Sequence, residues 1–148
     1  MEKIILTEKN FNKLKELVKK NSGKRIIFSS EDDDLNRKVL EKLAVNLLLI
    51  KFEWRKDFSK QRNSGFNEVM VKIAKKNGIG IGIDLDEIIF SKEREKIVSR
   101  IKQNIKLCNK NKIQMQFILG KEERSLILLK SLGLVLGMPT WMTKKLEI

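Results

Sequence analysis

The 148 residues hold 32 Lys and Arg against 19 Asp and Glu, a formal charge of +13, with 41% hydrophobic and 34% charged residues. That balance predicts one folded domain over residues 1–148, and cations spread from Lys3 to Lys145 make it a basic domain suited to polyanions. Histidine is absent and Cys108 is the single cysteine, which excludes His-containing metal sites, His-dependent triads and a disulfide framework, and favours a reducing cytoplasm.

No apolar run reaches the roughly 18 residues a spanning helix needs, and MEKIILTEKN carries charges where a signal peptide has its apolar region, so no membrane association is expected. Residues 4–6 suggest a short first strand. Phe11, Leu14, Leu17 and Val18 then share one helix face, closed by Asn21-Ser22-Gly23. Residues 25–30 form a clearer strand, followed by a helix with the stripe Leu35, Val39, Leu40 and Leu43. Residues 46–52 are almost all apolar, as a strand buried on both faces should be.

Residues 53–65 form a basic loop, after which a helix over about 66–76 buries Phe66, Val69, Met70 and Ile73. In the next strand, residues 79–85, Ile79, Ile81, Ile83 and Leu85 point one way and Gly80 and Gly82 the other, leaving a face nearly free of side chains. Bulky neighbours on adjacent strands explain that face; a ligand pressed on the backbone is the alternative. A long helix follows, with Ile97, Ile101, Ile105 and Cys108 inward and Lys102, Lys106 and Lys110 on another side. Residues 114–119 form the last strand, and the tail is a helical run broken by Gly133 and Gly137, with Pro139 opening a short terminal segment. Strands alternating with helices predict a mostly parallel sheet with right-handed crossovers. The strands are too few for a complete eight-unit barrel of about 250 residues. The expected fold is therefore a compact or partial TIM-barrel-like α/β fold of parallel βα units, with an open doubly wound sheet as the alternative.

In such folds the loops after strand ends build the site. Here they carry Glu31 to Asp34, Glu53-Trp54-Arg55, Asp84-Asp86-Glu87 and Gly120-Lys121, which brings several carboxylates to one rim. They suit a hard cation such as Mg²⁺, and Glu31 to Asp34 equally suit the opening of a helix. The most distinctive stretch is the loop with Arg55, Lys56, Lys60 and Arg62 leading into Asn63-Ser64-Gly65, read as a helix opening whose free N–H groups and cations hold phosphate. Trp54 and Phe58 flank those cations and serve either as core residues or as platforms for unpaired bases.

The runs RIIFSSEDDDLNRKVLEK, QRNSGFNEVMVKIAKKNGIGIGIDL and SRIKQNIKLCNKNKIQMQF, with the late Arg124-Ser125 and Leu136-Gly137-Met138, resemble the archaeal and eukaryotic thirty-kilodalton protein subunit of ribonuclease P, called protein component 3 in archaea. The resemblance covers residues 24–138. It implies a barrel related to the PHP phosphoesterases and a non-catalytic, RNA-binding subunit with no firmly bound cofactor. Ribonuclease P RNA would then remove the 5′ leader from precursor tRNA, the complex needing Mg²⁺ and a second small protein subunit. The RNA-binding residues implied are Arg55, Lys56, Lys60, Arg62, Asn63 and Ser64, with Lys102, Lys106 and Lys110 as a second stripe; no catalytic or metal residue is assigned. The chain is shorter than typical members, so elements near both ends are expected to be missing, and Leu126 stands where the family pattern has Pro. Two rival readings remain: a Mg²⁺-dependent phosphohydrolase using Asp32, Asp34, Asp84 and Asp86, and a basic module for an acidic protein partner.

Overall fold

Five parallel strands lie side by side in the order in which the chain makes them: β1 (Lys3–Leu6), β2 (Arg25–Ser29), β3 (Leu47–Ile50), β4 (Gly80–Asp84) and β5 (Met115–Ile118). This computed structural model describes residues 2–147. The intervening helices are α1 (Phe11–Lys20), α2 (Asp33–Lys42), α3 (Glu68–Asn77), α4 (Leu85–Phe90) and α5 (Arg94–Asn111), and α6 (Leu126–Leu136) and α7 (Thr140–Lys144) follow the last strand. A doubly wound sheet reverses its strand order at a switch point. This sheet never reverses, so it is a section of barrel wall, and among the described residues β1 and β5 each keep one open edge.

Strand alternation divides the apolar residues between the two faces. Ile26, Phe28, Leu48, Ile50, Ile81, Ile83, Met115 and Phe117 join the large core beneath the helices, to which α1 gives Leu14 and Val18, α2 Val39 and Leu40, and α5 Ile97, Ile101 and Ile105. The concave face holds only a small cluster of Ile27, Leu47 and Leu49, with Ile118 against it. Register explains the glycines: Gly80 lies opposite Leu47, and Gly82 lies between Leu49 and Gln116. A Cβ on Gly80 would come within 2.7 Å of Leu47 Cδ2, and one on Gly82 within 3.1 Å of Ile118 Cγ1 and 3.3 Å of Leu49 Cδ1. The bare face of β4 is thus filled by side chains from both neighbouring strands.

The final segment turns under the sheet. Gln114 donates to the Met142 carbonyl at 2.9 Å, Gln116 to that of Lys145 at 2.8 Å, and Glu147 pairs with Arg25 at the start of β2. Three expectations change. The third helix opens at Glu68 rather than near Phe66, and Val69 is exposed. Leu85 begins α4, a helix that the sequence pattern did not show, because Asp84 caps it through the Asp86 amide at 3.0 Å. Gly133 does not break the sixth helix: it sits inside α6, where the missing side chain admits Met138 and Thr143, whose nearest atoms lie 2.8 and 3.2 Å from the position of a Cβ.

Gly82→Val forces a branched side chain between Ile118 and Leu49, and overpacking of this kind costs about 1–3 kcal/mol. Urea unfolding should show that destabilisation, whereas an unchanged midpoint would mean that the concave face is loosely packed.

Candidate nucleic-acid interface

Between β3 and α3 the chain makes its longest excursion without a helix or strand, and two buried guanidinium groups shape it. Arg55, its side chain 0% exposed, binds both oxygens of Asp33 at 2.8 and 2.9 Å, the Lys51 carbonyl at 2.8 Å and Asn63 Oδ1 at 3.3 Å. Gly65, at φ +71°, passes so close that a Cβ would fall 2.4 Å from the guanidinium carbon. Arg100 of α5 donates to the carbonyls of Phe52 and Arg55 at 3.3 and 3.0 Å and to Asp57 at 3.1 Å. Beside it, Asn104 donates to the Ser64 carbonyl at 2.9 Å and Gln103 to Ser64 Oγ at 3.3 Å.

The expected phosphate cradle therefore has a different construction. Arg55 and Ser64 are withdrawn from the surface, and Asn63 is half-buried with its side-chain oxygen held by Arg55 and the Gly65 amide. Asn63-Ser64-Gly65 does not open the helix. Asn67 does, and its own side chain takes the Met70 amide at 2.9 Å, so the helix start is capped from within.

What remains outside is nonetheless strongly basic. Lys56, Lys60 and Arg62 are exposed on the loop, and Lys102, Lys106 and Lys110 are exposed along α5 at intervals of four residues. Each such step advances about 6 Å along a helix. Gln103 touches Ser64 and Lys110 lies 3.4 Å from Glu68 at the start of α3, so Lys106, between them, stands beside the loop. At the far end, Lys75 of α3 reaches the Lys112 carbonyl at 3.3 Å. The loop, α3 and α5 are thus joined by contacts, with Lys56, Lys60, Arg62, Lys102, Lys106 and Lys110 exposed on them.

The carboxylates gather at the C-terminal end of the strands, as expected, around a cavity of about 500 Å³ lined by Glu31, Glu53, Asp84, Asp86 and Glu87 with Lys51 and Lys121 among them. Each role visible there is internal. Asp32 caps α2 through the Asp34 and Leu35 amides, Asp84 caps α4 and meets Lys51 at 3.3 Å, and Asp86 accepts the Lys121 amide at 3.1 Å. Glu87 accepts from the Phe52 and Glu53 amides, each at 3.0 Å. Asp84, Asp86 and Glu87 are engaged in this way, the chain has no histidine, and no group of three or more His, Cys, Asp or Glu side chains that could hold a metal ion occurs among the described residues. Burial pushes the Glu87 carboxyl above its ordinary value; the Glu53 and Phe52 amides pull the other way. Asp57 is held below its ordinary value chiefly by the Asn63 amide, with Arg100 and the nearby charge of Arg62 assisting and burial opposing. Burial raises the Cys108 thiol to about 12, which leaves it inert at neutral pH.

No protein-family model matches the chain. Ribonuclease P protein component 3 of Methanosarcina acetivorans is 32% identical over 116 residues, 76% of this chain and 46% of that protein. The component 3 of Methanosarcina mazei is likewise 32% identical, over 72% of this chain and 44% of its own. The chain is a relative of ribonuclease P protein component 3. It spans about half the length of these curated relatives. A chain in the cryo-EM structure of archaeal ribonuclease P with mature tRNA superimposes with a TM-score of 0.77 at 17% identity, over 96% of this chain and 62% of that one, and so shares the fold. No helix among the described residues is long and apolar enough to cross a membrane.

Arg100 is the residue that sequence reasoning missed. Its signal was present: with Asn104 it falls on the same buried face as Ile97, Ile101 and Ile105, and a charged side chain inside an apolar stripe has to be paired. Arg100→Met should destabilise by about 3 kcal/mol or more, since each buried acceptor left without a donor costs about 1–3 kcal/mol. Hydrogen exchange at residues 52–57 should accelerate with it, and Arg100→Lys, with one ammonium for three acceptors, should not restore protection.

Glu87 gives a pH signature. Because its folded value lies above the unfolded one, the native state holds the proton longer, and stability falls as pH rises from the ordinary value of 4.5 through the raised one. Glu87→Gln removes that slope. Urea unfolding of both proteins between about pH 4 and 7 should show the variant gaining relative to wild type as pH increases, and parallel curves would rule the assignment out.

Proposed function

We propose that this chain is a non-catalytic, RNA-binding protein subunit of ribonuclease P. In this reading the RNA component removes the 5′ leader from precursor tRNA, and the protein, together with another small protein subunit, screens the phosphates of the folded RNA. The complex works in the cytoplasm and draws its Mg²⁺ requirement from the RNA. One observation carries the proposal: Lys102, Lys106 and Lys110 form an exposed ladder on α5 beside the exposed Lys56, Lys60 and Arg62 of an anchored loop. Three cations about 6 Å apart on a rigid helix match a run of backbone phosphates, and releasing counterions from such a run is the main source of RNA affinity. The relationship to component 3 supports ribonuclease P RNA as the polyanion. The carboxylate rim gives the phosphohydrolase reading no support, because no group of three or more side chains able to hold a metal ion gathers there among the described residues.

Replacing Lys102, Lys106 and Lys110 by Ala should weaken binding to ribonuclease P RNA and lower the slope of log affinity against log salt by about one for each lysine–phosphate pair removed. Arg62→Ala should reduce activity of the reconstituted complex at limiting Mg²⁺. An unchanged salt slope in the triple variant, with retained binding to an acidic protein, would turn the assignment toward the protein-interaction reading.

A further inference from the structure

Resting on the RNA-binding reading, we infer that Phe58 is a stacking platform for an unpaired base, so that this surface takes a single-stranded or bulged RNA segment rather than a continuous duplex. Three aromatic rings stand at the surface: Trp54 at 39% exposure, Phe90 at 49% and Phe58 at 62%. Two of them already have a cation over the ring. The Arg55 guanidinium lies 4.4 Å from the Trp54 ring and Lys121 Nζ 5.1 Å from that of Phe90, whereas Phe58 has no cation over its ring among the described residues. The most exposed aromatic is also the one whose face is open.

It is held in place as well. The Phe58 amide donates to the Gln61 carbonyl at 2.9 Å, closing a tight turn. The preceding residue, Asp57, accepts from the Asn63 amide at 2.9 Å and from Arg100 at 3.1 Å, so both limbs of the turn are tied to a buried side chain of α5. With the backbone fixed this way, binding needs to order only the two torsions of the Phe58 side chain. Its surroundings select the partner. Lys56, Lys60 and Arg62 are exposed within four residues on either side, and the turn offers no second exposed apolar side chain with which to build a hydrophobic protein interface. A lone open ring among cations suits a nucleotide, with phosphates on the lysines and a base on the ring. In a duplex both faces of every internal base are already stacked, so the ring requires an unpaired one.

The test uses the purified full chain with a short unstructured oligoribonucleotide and a blunt RNA duplex of the same strand length. Phe58→Ala should weaken single-strand binding about 5- to 150-fold, the range for losing one base–aromatic stack, and change duplex binding less than twofold. Phe58→Trp should keep the affinity and show emission quenched by the single strand beyond the quenching seen for wild type. Equal losses on both RNAs, no loss on either, or a wild-type protein without preference for the single strand would overturn the inference. The triple Lys variant separates this from the underlying reading. If it weakens RNA binding while Phe58→Ala does not, only the stacking platform fails, and if neither weakens it, the basic interface fails too.

Discussion

The guanidinium of Arg100 is the fixed point around which the basic side is organised. It leaves α5 on the face that carries Ile97 and Ile101, reaches three acceptors in the excursion between β3 and α3, and is buried while doing so. A loop of that length has no hydrogen-bond ladder of its own, so its backbone carbonyls need donors from elsewhere. Arg100 supplies them from one side and Arg55, clamped on Asp33, from the other. The five donors of a guanidinium, spread in a plane over three nitrogens, make this possible where a lysine's three donors all radiate from one nitrogen.

That arrangement also sorts the charges. Acidic side chains are consumed at the strand ends, as caps for α2 and α4, as the counter-ion of Arg55 and as acceptors for loop amides. Lysines of α5 and the outer loop meet few of them; Lys110 with Glu68 is an exposed pair, and exposed pairs contribute little. The formal charge of +13 is spread along the chain, from Lys3 to Lys145, and leaves the exposed lysines of α5 and the outer loop largely without acidic partners. The acidic cavity and the basic loop share the C-terminal end of the strands, with Glu53 and Trp54 of that loop lining the cavity and Lys56, Lys60 and Arg62 exposed farther along it.

Periodicity made most of the fold readable. Apolar residues at helical spacing in α1, α2 and α5, and the alternation of Ile and Gly in β4, report burial directly, because the side that leaves water is the side that must be apolar. Asp32 was legible as a cap because its job is local. The loop was not, since the exposure of Arg55 and Lys56, adjacent and both cationic, is decided by Asp33 and Arg100 far away in sequence, and no local pattern distinguishes them. Gly65 was the available clue: a glycine beside a predicted helix start also marks a place where something passes close. Trp54 and Phe58 could not be assigned for the same reason, and the structure puts both at the surface.

The strand order carries a consequence for how the molecule is made. Every strand pairs with the one synthesised just before it, and the ties that fix the loops reach backward as well: Arg55 to Asp33, Asn77 to the Leu40 carbonyl, Arg100 to residues 52–57. Each βα unit can therefore settle on a finished predecessor while the ribosome is still extending the chain, an assembly of mostly short sequence separations that favours rapid folding. The pairing of Glu147 with Arg25 is the exception, joining residues 122 apart. It forms only after β2 and the segment that follows α7 are both in place.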